Sequence, residues 1–286
     1  MIELEIRVER LKEDTIGHIV ALSSYIGWDY NREEIETIFN SGIVYGVWNE
    51  RKELIASAAI ILYGEALASI GMVIVHPDYK GKGIGKVITN SCMNSVSAQT
   101  PCMLIATDEG KHLYEKLGFR VVSYVSKYIC NSYNANHKCA ENEEYMMVYK
   151  ESDLEGIIKI DEGAFGTSRN EFLKQRIMQS EQCVVVKDTK ENVVGYGISI
   201  QTPENKIIGP VVAKNNAVAM IIVHGLARGH NGKLRMDVPE GKNDFMKELE
   251  IAGFKKVNTP PIMMKNTGQL LNRNNGLYSI AAQIFG

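Results

Sequence analysis

The chain has 286 residues, a length that favours two domains of about 140 residues each. Hydrophobic residues make up 45% and charged residues 23% of the sequence, as in ordinary globular proteins, and the net charge of -2 gives no support for a general nucleic-acid binder. The five cysteines include no C-x-x-C pair, which favours reduced thiols in a cytoplasmic protein. Cys130, His137 and Cys139 could belong to a metal site, but no fourth ligand is evident, so no metal is predicted.

The first part of the chain alternates strand and helix patterns. The predicted order is a strand at Leu4–Val8, a helix at Asp14–Ile26, a helix from the N-cap Asn31 to Phe39 and a strand at Ile43–Trp48. The charged N-terminus, MIELEIRVER, does not fit a signal peptide.

The next stretch, Ile55–Val75, is apolar and long enough to span a membrane. Gly64-Glu65 divides it at a turn signal, which leaves two strand-length runs, Leu54–Tyr63 and Ala66–Val75. We therefore predict a buried antiparallel hairpin and no membrane segment.

The sequence VIVHPDYKGKGIGKVI, residues 73–88, leads from this hairpin into a helix that runs through Met93. It contains three glycines and three lysines, Gly81, Gly83 and Gly85 and Lys80, Lys82 and Lys86. The glycines let backbone N–H groups approach a ligand at a helix N-terminus, and the lysines suit a pyrophosphate. The spacing fits neither the Walker A loop nor the dinucleotide fingerprint. A plain surface turn rich in glycine and lysine is the alternative.

A strand at Met103–Ala106 and a helix at Lys111–Leu117 follow, and the helix carries the motif LYEKLGF before a strand at Arg120–Ile129. This motif, together with V-x-P-x-Y-K-G-K-G-I-G, resembles the GNAT acetyltransferases over Met72–Phe119. The family's pyrophosphate motif has glutamine or arginine first, glycine fourth and glycine or alanine sixth. Here those positions are Lys80, Gly83 and Gly85.

The resemblance implies an α/β (α+β) fold, a mixed and mostly antiparallel sheet flanked by helices, with acetyl-CoA as co-substrate. Backbone groups at the end of the second hairpin strand should pair with the pantetheine arm and polarise the thioester carbonyl. The implied cofactor-binding residues are Met72, Val73, Val75, Lys80, Gly81, Lys82, Gly83, Ile84, Gly85, Lys86 and Thr107. Thr107 stands where many members have asparagine, and its hydroxyl can still form a hydrogen bond to the cofactor.

Acetyl transfer from a thioester to an amine requires an acid that protonates the leaving thiolate. Tyr114 suits this role because a phenol stays protonated at neutral pH, and it occupies the position of the family's general-acid tyrosine. The alternative is a tyrosine packed in the core. No carboxylate lies within Ser69–Val75 to act as general base, so His76, Glu65 or a water chain are the candidates.

The second half repeats the order of elements. Its predicted segments are Tyr145–Tyr149, Asp153–Asp161, Glu171–Gln179, Gln182–Val186, Val193–Ile200, Lys206–Val212, Ala217–Leu226, Lys233–Val238 and Asp244–Ile251. The loop after Val212 has no glycine, and Leu249 stands at the tyrosine position. We therefore predict a GNAT acetyltransferase domain at 1–140 and a degenerate GNAT-like domain at 141–286, which resembles the two-domain branch of the family. Asp161-x-x-x-Phe165-Gly166-x-x-Arg169 and the final glycine resemble that branch too.

The predicted function is an acetyl-CoA-dependent N-acetyltransferase acting on the amine of a small molecule. A non-catalytic acyl-CoA-binding sensor and a phosphate-binding module unrelated to CoA are the alternatives. The acceptor is expected near Trp28 and Asp29, between the first two helices, and near Asp161 and Arg169, on a loop that could face a cleft between domains. The aromatic residues could equally cap the core, and the charged pair could be a local salt bridge. The oligomeric state stays open.

Overall fold

The computed structural model describes residues 6–134 and 145–286. The predicted boundary between residues 140 and 141 lies outside these ranges, as do His137, Cys139 and the start of the strand predicted at Leu4–Val8. In the described residues, no helix is long and apolar enough to cross a membrane.

The first half folds as a succession of strands and helices close to the predicted one. Its elements are β1 (Val8–Arg10), α1 (Ile16–Tyr25), α2 (Arg32–Ser41), β2 (Gly42–Trp48), β3 (Leu54–Tyr63), β4 (Leu67–Val75), α3 (Ile84–Met93), β5 (Cys102–Ile105), α4 (Asp108–Lys116) and β6 (Arg120–Cys130). Asn31 caps α2 as predicted, because its side chain accepts a hydrogen bond from the Glu34 N–H at 2.8 Å.

The apolar stretch 55–75 is the predicted antiparallel hairpin of β3 and β4. Nearly every residue of β3 is buried, since α1 and α2 contact this half's sheet and α3 packs on β3 and β4. A strand covered on both faces is apolar throughout instead of alternating. This two-sided burial explains why the segment resembles a membrane span in the sequence.

The second half repeats this order through β12 and has two further strands, β13 and β14. Its elements are β7 (Tyr145–Val148), α5 (Leu154–Phe165), α6 (Asn170–Gln179), β8 (Gln182–Lys187), β9 (Val193–Gln201), β10 (Lys206–Ala213), α7 (Asn216–Ala227), β11 (Leu234–Pro239), α8 (Asn243–Ile251), β12 (Lys255–Asn258), β13 (Pro261–Lys265) and β14 (Leu277–Ser279). No strand is predicted from the sequence after residue 253, so β12, β13 and β14 are additions to the predicted elements.

The two halves exchange strands. In the first half, β13 inserts between β5 and β6, antiparallel to both. In the second half, the C-terminal part of β6 lies between β11 and β12. Each sheet is antiparallel apart from one parallel pair, β4 with β5 in the first and β10 with β11 in the second. Each half therefore completes the sheet of the other, and the sheets form one continuous path of strands.

A buried ion pair joins α2 of the first half to α6 of the second. The Arg176 guanidinium donates to the Glu34 carboxylate at 2.5 Å and to the Ala281 carbonyl at 2.8 Å. Gln179 donates to the same Glu34 carboxylate at 2.8 Å. These contacts fix the two halves in one arrangement, and the cavities between them therefore have a defined shape.

Candidate active site

A cleft of about 430 Å³ opens where β4 and β5 separate. Residues Ala68–Ile70 of β4 pair in parallel with Cys102–Leu104 of β5, and the two strands separate after this segment. At that point β4 has a register shift against β3, and Met72 adopts a positive φ of 52°. A bulge of this kind bends the strand and increases its twist, which explains the opening.

The edge of β4 that faces the cleft is built from backbone groups. The His76 N–H donates to the Ile55 carbonyl of β3 at 2.8 Å. Because backbone groups alternate sides along a strand, those of Val73 and Val75 point away from β3, toward the cleft. Both residues line the cleft. Met72 does not, and its carbonyl accepts a hydrogen bond from Ser57 at 3.2 Å, so this residue shapes the bulge.

The predicted phosphate loop forms one wall of the same cleft. Gly81 and Gly83 have positive φ values of 77° and 80°, and α3 begins directly after Gly83. A Cβ built at either glycine would meet no protein atom within 4 Å, so it would project into open space at the loop. The first turn of α3 has no side-chain cap. The Lys86 N–H donates to the Gly83 carbonyl at 3.1 Å, and the N–H groups of Ile84 and Gly85 are available to an anion, as a pyrophosphate would require.

The three lysines of the loop have different surroundings. Lys80 and Lys86 line the cleft, whereas Lys82 does not and places its ammonium 4.9 Å from the centre of the Tyr79 ring. Lys80 pairs with the exposed carboxylate of Glu109 at 2.7 Å, across the cleft from the loop to α4. Glu109 is not among the residues predicted from the sequence. Since exposed ion pairs are weak, Lys80 can exchange this carboxylate for a phosphate.

Helix α4 forms the opposite wall and carries Thr107, Gly110 and Tyr114 on one face, at positions i, i+3 and i+7. Thr107 is the N-cap, and its hydroxyl accepts a hydrogen bond from the Gly110 N–H at 3.1 Å. That hydroxyl keeps its own hydrogen for donation. A Cβ at Gly110 would come within 3.0 Å of the Tyr114 ring, so glycine makes room for the phenol. This helical spacing could have identified Gly110 from the sequence.

Tyr114 lines the cleft with its side chain mostly buried, at 8% exposure. Its ring packs edge-on against Phe119 with the centroids 6.1 Å apart. Burial, and secondarily the nearby Cys92, raises the pKa of Tyr114 to about 12. The phenol is therefore protonated at any physiological pH and can donate a proton into the cleft.

A second cavity, of about 350 Å³, lies between the two halves and adjoins the first, because Trp28 and Thr107 line both. The α1–α2 loop, the β9–β10 turn, β6 and β11 supply its walls. They contribute Asp29, Tyr30, Lys127, Thr202, Glu204, Asn205 and Arg235. Trp28 thus stands at the junction of the two cavities.

Asp29 lines this cavity, but its carboxylate already has partners in the second half. It accepts hydrogen bonds from the Thr202 hydroxyl, from the Glu204 N–H at 3.0 Å and from the Asn205 side-chain amide at 2.9 Å. These donors are neutral, so the negative charge is solvated by hydrogen bonds without being cancelled. Asp29 therefore holds the α1–α2 loop against the β9–β10 turn, and its contact with an acceptor ammonium stays a prediction.

The loop placement predicted for Asp161 is wrong, whereas Arg169 does lie on the loop between two helices. Asp161 lies within α5 instead of on a loop, and Arg169 precedes α6. Both side chains are fully buried, and the guanidinium donates twice to the carboxylate, each time at 2.8 Å. Tyr196 donates a further hydrogen bond to Asp161. The pair is a structural ion pair in the core, which was the alternative interpretation of these residues.

Neither Glu65 nor His76, the two side-chain candidates for a general base, lines the cleft. Glu65 is exposed in the β3–β4 turn, at the end of β4 remote from the cleft, roughly 25 Å along the strand. His76 begins a short 3-10 helix, its Nδ1 accepts the Asp78 N–H at 3.3 Å, and its ring stacks on Tyr25. His76 is therefore a turn residue.

The corresponding opening of the second half is filled by the chain itself. Strands β10 and β11 pair only at Lys206 and Ile207 and then separate, as β4 and β5 do. There β14 enters and pairs with β10 at Val211 and Val212, while the Ile280 N–H donates to the Asp237 carbonyl of β11 at 2.9 Å. A polypeptide strand thus occupies the position that is an open cleft in the first half.

Two segments of the chain match family profiles described as "Acetyltransferase (GNAT) domain", residues 40–121 and residues 157–279. Over 278 residues the chain is 32% identical to "Uncharacterized N-acetyltransferase YitH" of Bacillus subtilis (strain 168), covering 97% of each chain. It is 23% identical over 235 residues to the "Holothin acyltransferase" of Pseudoalteromonas sp. (strain SANK 73390), covering 80% of this chain and 78% of that one.

A crystal structure from Pyrococcus horikoshii, assigned as an acetyltransferase, matches with a TM-score of 0.79 at 18% identity and covers 100% of this chain and 98% of that chain. The chain belongs to the GNAT acetyltransferases. It is an acetyltransferase with two GNAT domains in tandem, and the α/β fold predicted from the motifs is confirmed.

Proposed function

We propose that the protein is an acetyl-CoA-dependent N-acetyltransferase that transfers an acetyl group to a primary amine of a small molecule by direct attack, with Tyr114 as general acid. One observation carries the proposal: Tyr114, the glycine loop and the open edge of β4 line a single cleft. A phosphate-binding loop, a strand edge and a proton donor in one cleft are what a thioester of coenzyme A would need.

The residues of the cleft fit this co-substrate. The N–H groups at Gly83 and at the start of α3, with Lys80 and Lys86, bind the diphosphate. The backbone of Val73 and Val75 binds the pantetheine arm as an added strand would, and an N–H of this edge polarises the thioester carbonyl. When bound, acetyl-CoA supplies the activated acetyl group and a thiolate as the leaving group.

The acid lines the cleft itself, and the acceptor enters from the adjoining cavity. Tyr114 donates its phenolic proton to the leaving sulfur, and its raised pKa keeps that proton in place up to alkaline pH. The acceptor amine enters from the second cavity, past Trp28 and Thr107. Among the described residues, Glu109 is the one carboxylate that lines the cofactor cleft, and it pairs with Lys80. The amine therefore loses its proton to water.

The absence of a placed base also supports a second candidate function, an acyl-CoA-binding sensor without turnover. Thiol release from acetyl-CoA, measured against a panel of primary amines, separates the two. Turnover with any amine supports the acetyltransferase. Tight CoA binding with no thiol release for any amine would favour the sensor.

The name of the holothin acyltransferase, a relative, supports a small-molecule acceptor.

A further inference from the structure

The carboxylates and the lysine ammonium group that line the second cavity differ in whether they have partners. The carboxylates have partners: Asp29 accepts three hydrogen bonds, Glu34 pairs with Arg176, and Glu204 lies 3.8 Å from Lys233. Lys127, on β6, also lines the cavity. In residues 6–134 and 145–286, no hydrogen bond or ion pair engages its ammonium group.

A second cation, Arg235, lies near Lys127 on the same wall of the cavity. Lys127 lies opposite Asp237 in the pairing of β6 with β11, and Arg235 is two residues along β11 on the same face. Asp237 is engaged by Arg235, whose Nε and Nη2 lie 3.0 and 2.7 Å from the carboxylate. Burial first, and then repulsion by Arg235, lowers the pKa of Lys127. The carboxylates of Asp237 and Asp29 act on this pKa in the opposite direction, but neither forms an ion pair or hydrogen bond with the ammonium, which is thus half-buried without an anion in contact.

A half-buried ammonium without a partner costs free energy in the free protein, and a bound anion recovers that cost. Asp29 lies close enough to influence Lys127 and Arg235, but its oxygens accept hydrogen bonds from neutral donors of the second half instead of pairing with either cation. An incoming anion would meet one unpaired positive charge and several existing carboxylates. A singly charged carboxylate fits this balance better than a doubly charged phosphate.

We propose, on the basis of the function proposed above, that the acceptor is an amine that also carries a carboxylate, such as an amino acid, and that Lys127 binds this carboxylate. The second cavity adjoins the cofactor cleft at Trp28 and Thr107, so a carboxylate held at Lys127 leaves the other end of the molecule directed toward that junction. Lys127 is a specificity residue in this arrangement. It takes no part in the chemical step.

Binding of reaction products tests this inference without requiring turnover. The probes are N-acetylglycine, N-acetyl-β-alanine and N-acetylphenylalanine, each compared by calorimetry with its neutral carboxamide in the presence of CoA. We expect at least one acid to bind tenfold or more tightly than its carboxamide. Lys127→Met should abolish this preference, whereas Lys127→Arg, which keeps the charge, should retain most of it.

Lys255→Met is the matched control, because Lys255 is an exposed lysine of β12 outside the cavity and its loss changes the net charge equally. The control should keep the preference for the acid. If no acid binds more tightly than its carboxamide, or if Lys127→Met keeps the preference, the inference is wrong. Thiol release with amines that lack a carboxylate would then still support the acetyltransferase, so the two failures are distinguishable.

Discussion

The two GNAT domains of this chain share an order of elements and a separation of two parallel strands, but they use that separation differently. In the first domain the gap between β4 and β5 is an open cleft, and in the second β14 fills the gap between β10 and β11. The fold alone therefore does not determine activity. We propose that what occupies the gap between the strands decides whether a copy can bind a cofactor.

The helix that follows the gap shows the same contrast. Helix α3 begins at Gly83 without a side-chain cap, which leaves its first N–H groups open to a ligand. Helix α7 begins after Asn215, whose side chain accepts the Val218 N–H at 3.0 Å. At the position of Tyr114, the second domain has the fully buried Leu249. The second domain thus satisfies internally the groups that the first presents to solvent.

The largest expected effect concerns this tyrosine. Tyr114→Phe removes only the hydroxyl, so the affinity for CoA should be nearly unchanged while kcat falls about 10²–10⁴-fold, the usual contribution of a positioned acid. Tyr45→Phe is the control, because it removes a hydroxyl that contacts Ser95 outside the cleft. Steady-state kinetics with chemistry shown to be rate-limiting make the comparison. An unchanged kcat in Tyr114→Phe would exclude Tyr114 as the acid.

Arg169 in the second domain should affect stability instead of catalysis. Arg169→Ala leaves the buried Asp161 carboxylate without its cation, which should lower the free energy of unfolding by about 3–5 kcal/mol in urea. The double variant Asp161→Asn with Arg169→Met removes both charges and should recover part of that loss. A raised acceptor KM in Arg169→Ala with unchanged stability would contradict the structural assignment.

The phosphate loop can be tested by a matched pair of glycine substitutions. Gly83 and Gly64 both have positive φ and open space around an added Cβ, but Gly64 lies in the β3–β4 turn, away from the cleft. Valine strains the backbone at either site. Of the two variants, only Gly83→Val should weaken acetyl-CoA binding, at least tenfold or about 1.4 kcal/mol, because its side chain fills the site of the pyrophosphate. Equal CoA affinity in two folded variants would remove the pyrophosphate from this loop.

The smallest expected effect is the change of kcat with pH. An acid acts only while protonated, and because the pKa of Tyr114 is raised to about 12, its protonated form persists through the whole range from pH 6 to about 10. With saturating acceptor, kcat should show no alkaline decline in that range. A decline below pH 10 that disappears in Tyr114→Phe would mean that the phenol titrates much lower than its burial indicates.

Local patterns predicted most of the fold and most of the residues that line the cleft, because each depends on neighbouring residues. The Asn31 cap, the β3–β4 hairpin and the glycine loop are examples. Strand exchange through β13 and the filling of the second gap by β14 depend on pairing between residues far apart in sequence, which periodicity does not report.

The residues of the second cavity, where we propose that the acceptor binds, were predicted less well for the same reason. Lys127 lies on an ordinary strand, and its proposed role depends on a fold that places it beside Arg235 in a cavity between the halves. Asp161 and Arg169 looked available for a ligand because the sequence does not show that they bury each other.

The number of cofactors bound per chain tests the central claim, that one gap is open and the other closed, most directly. Titration of the purified protein with CoA in a calorimeter should give one CoA per chain, and in Gly83→Val that single binding event should weaken at least tenfold with no second event remaining. Two CoA molecules per chain, or binding in Gly83→Val that keeps the wild-type affinity, would contradict the account.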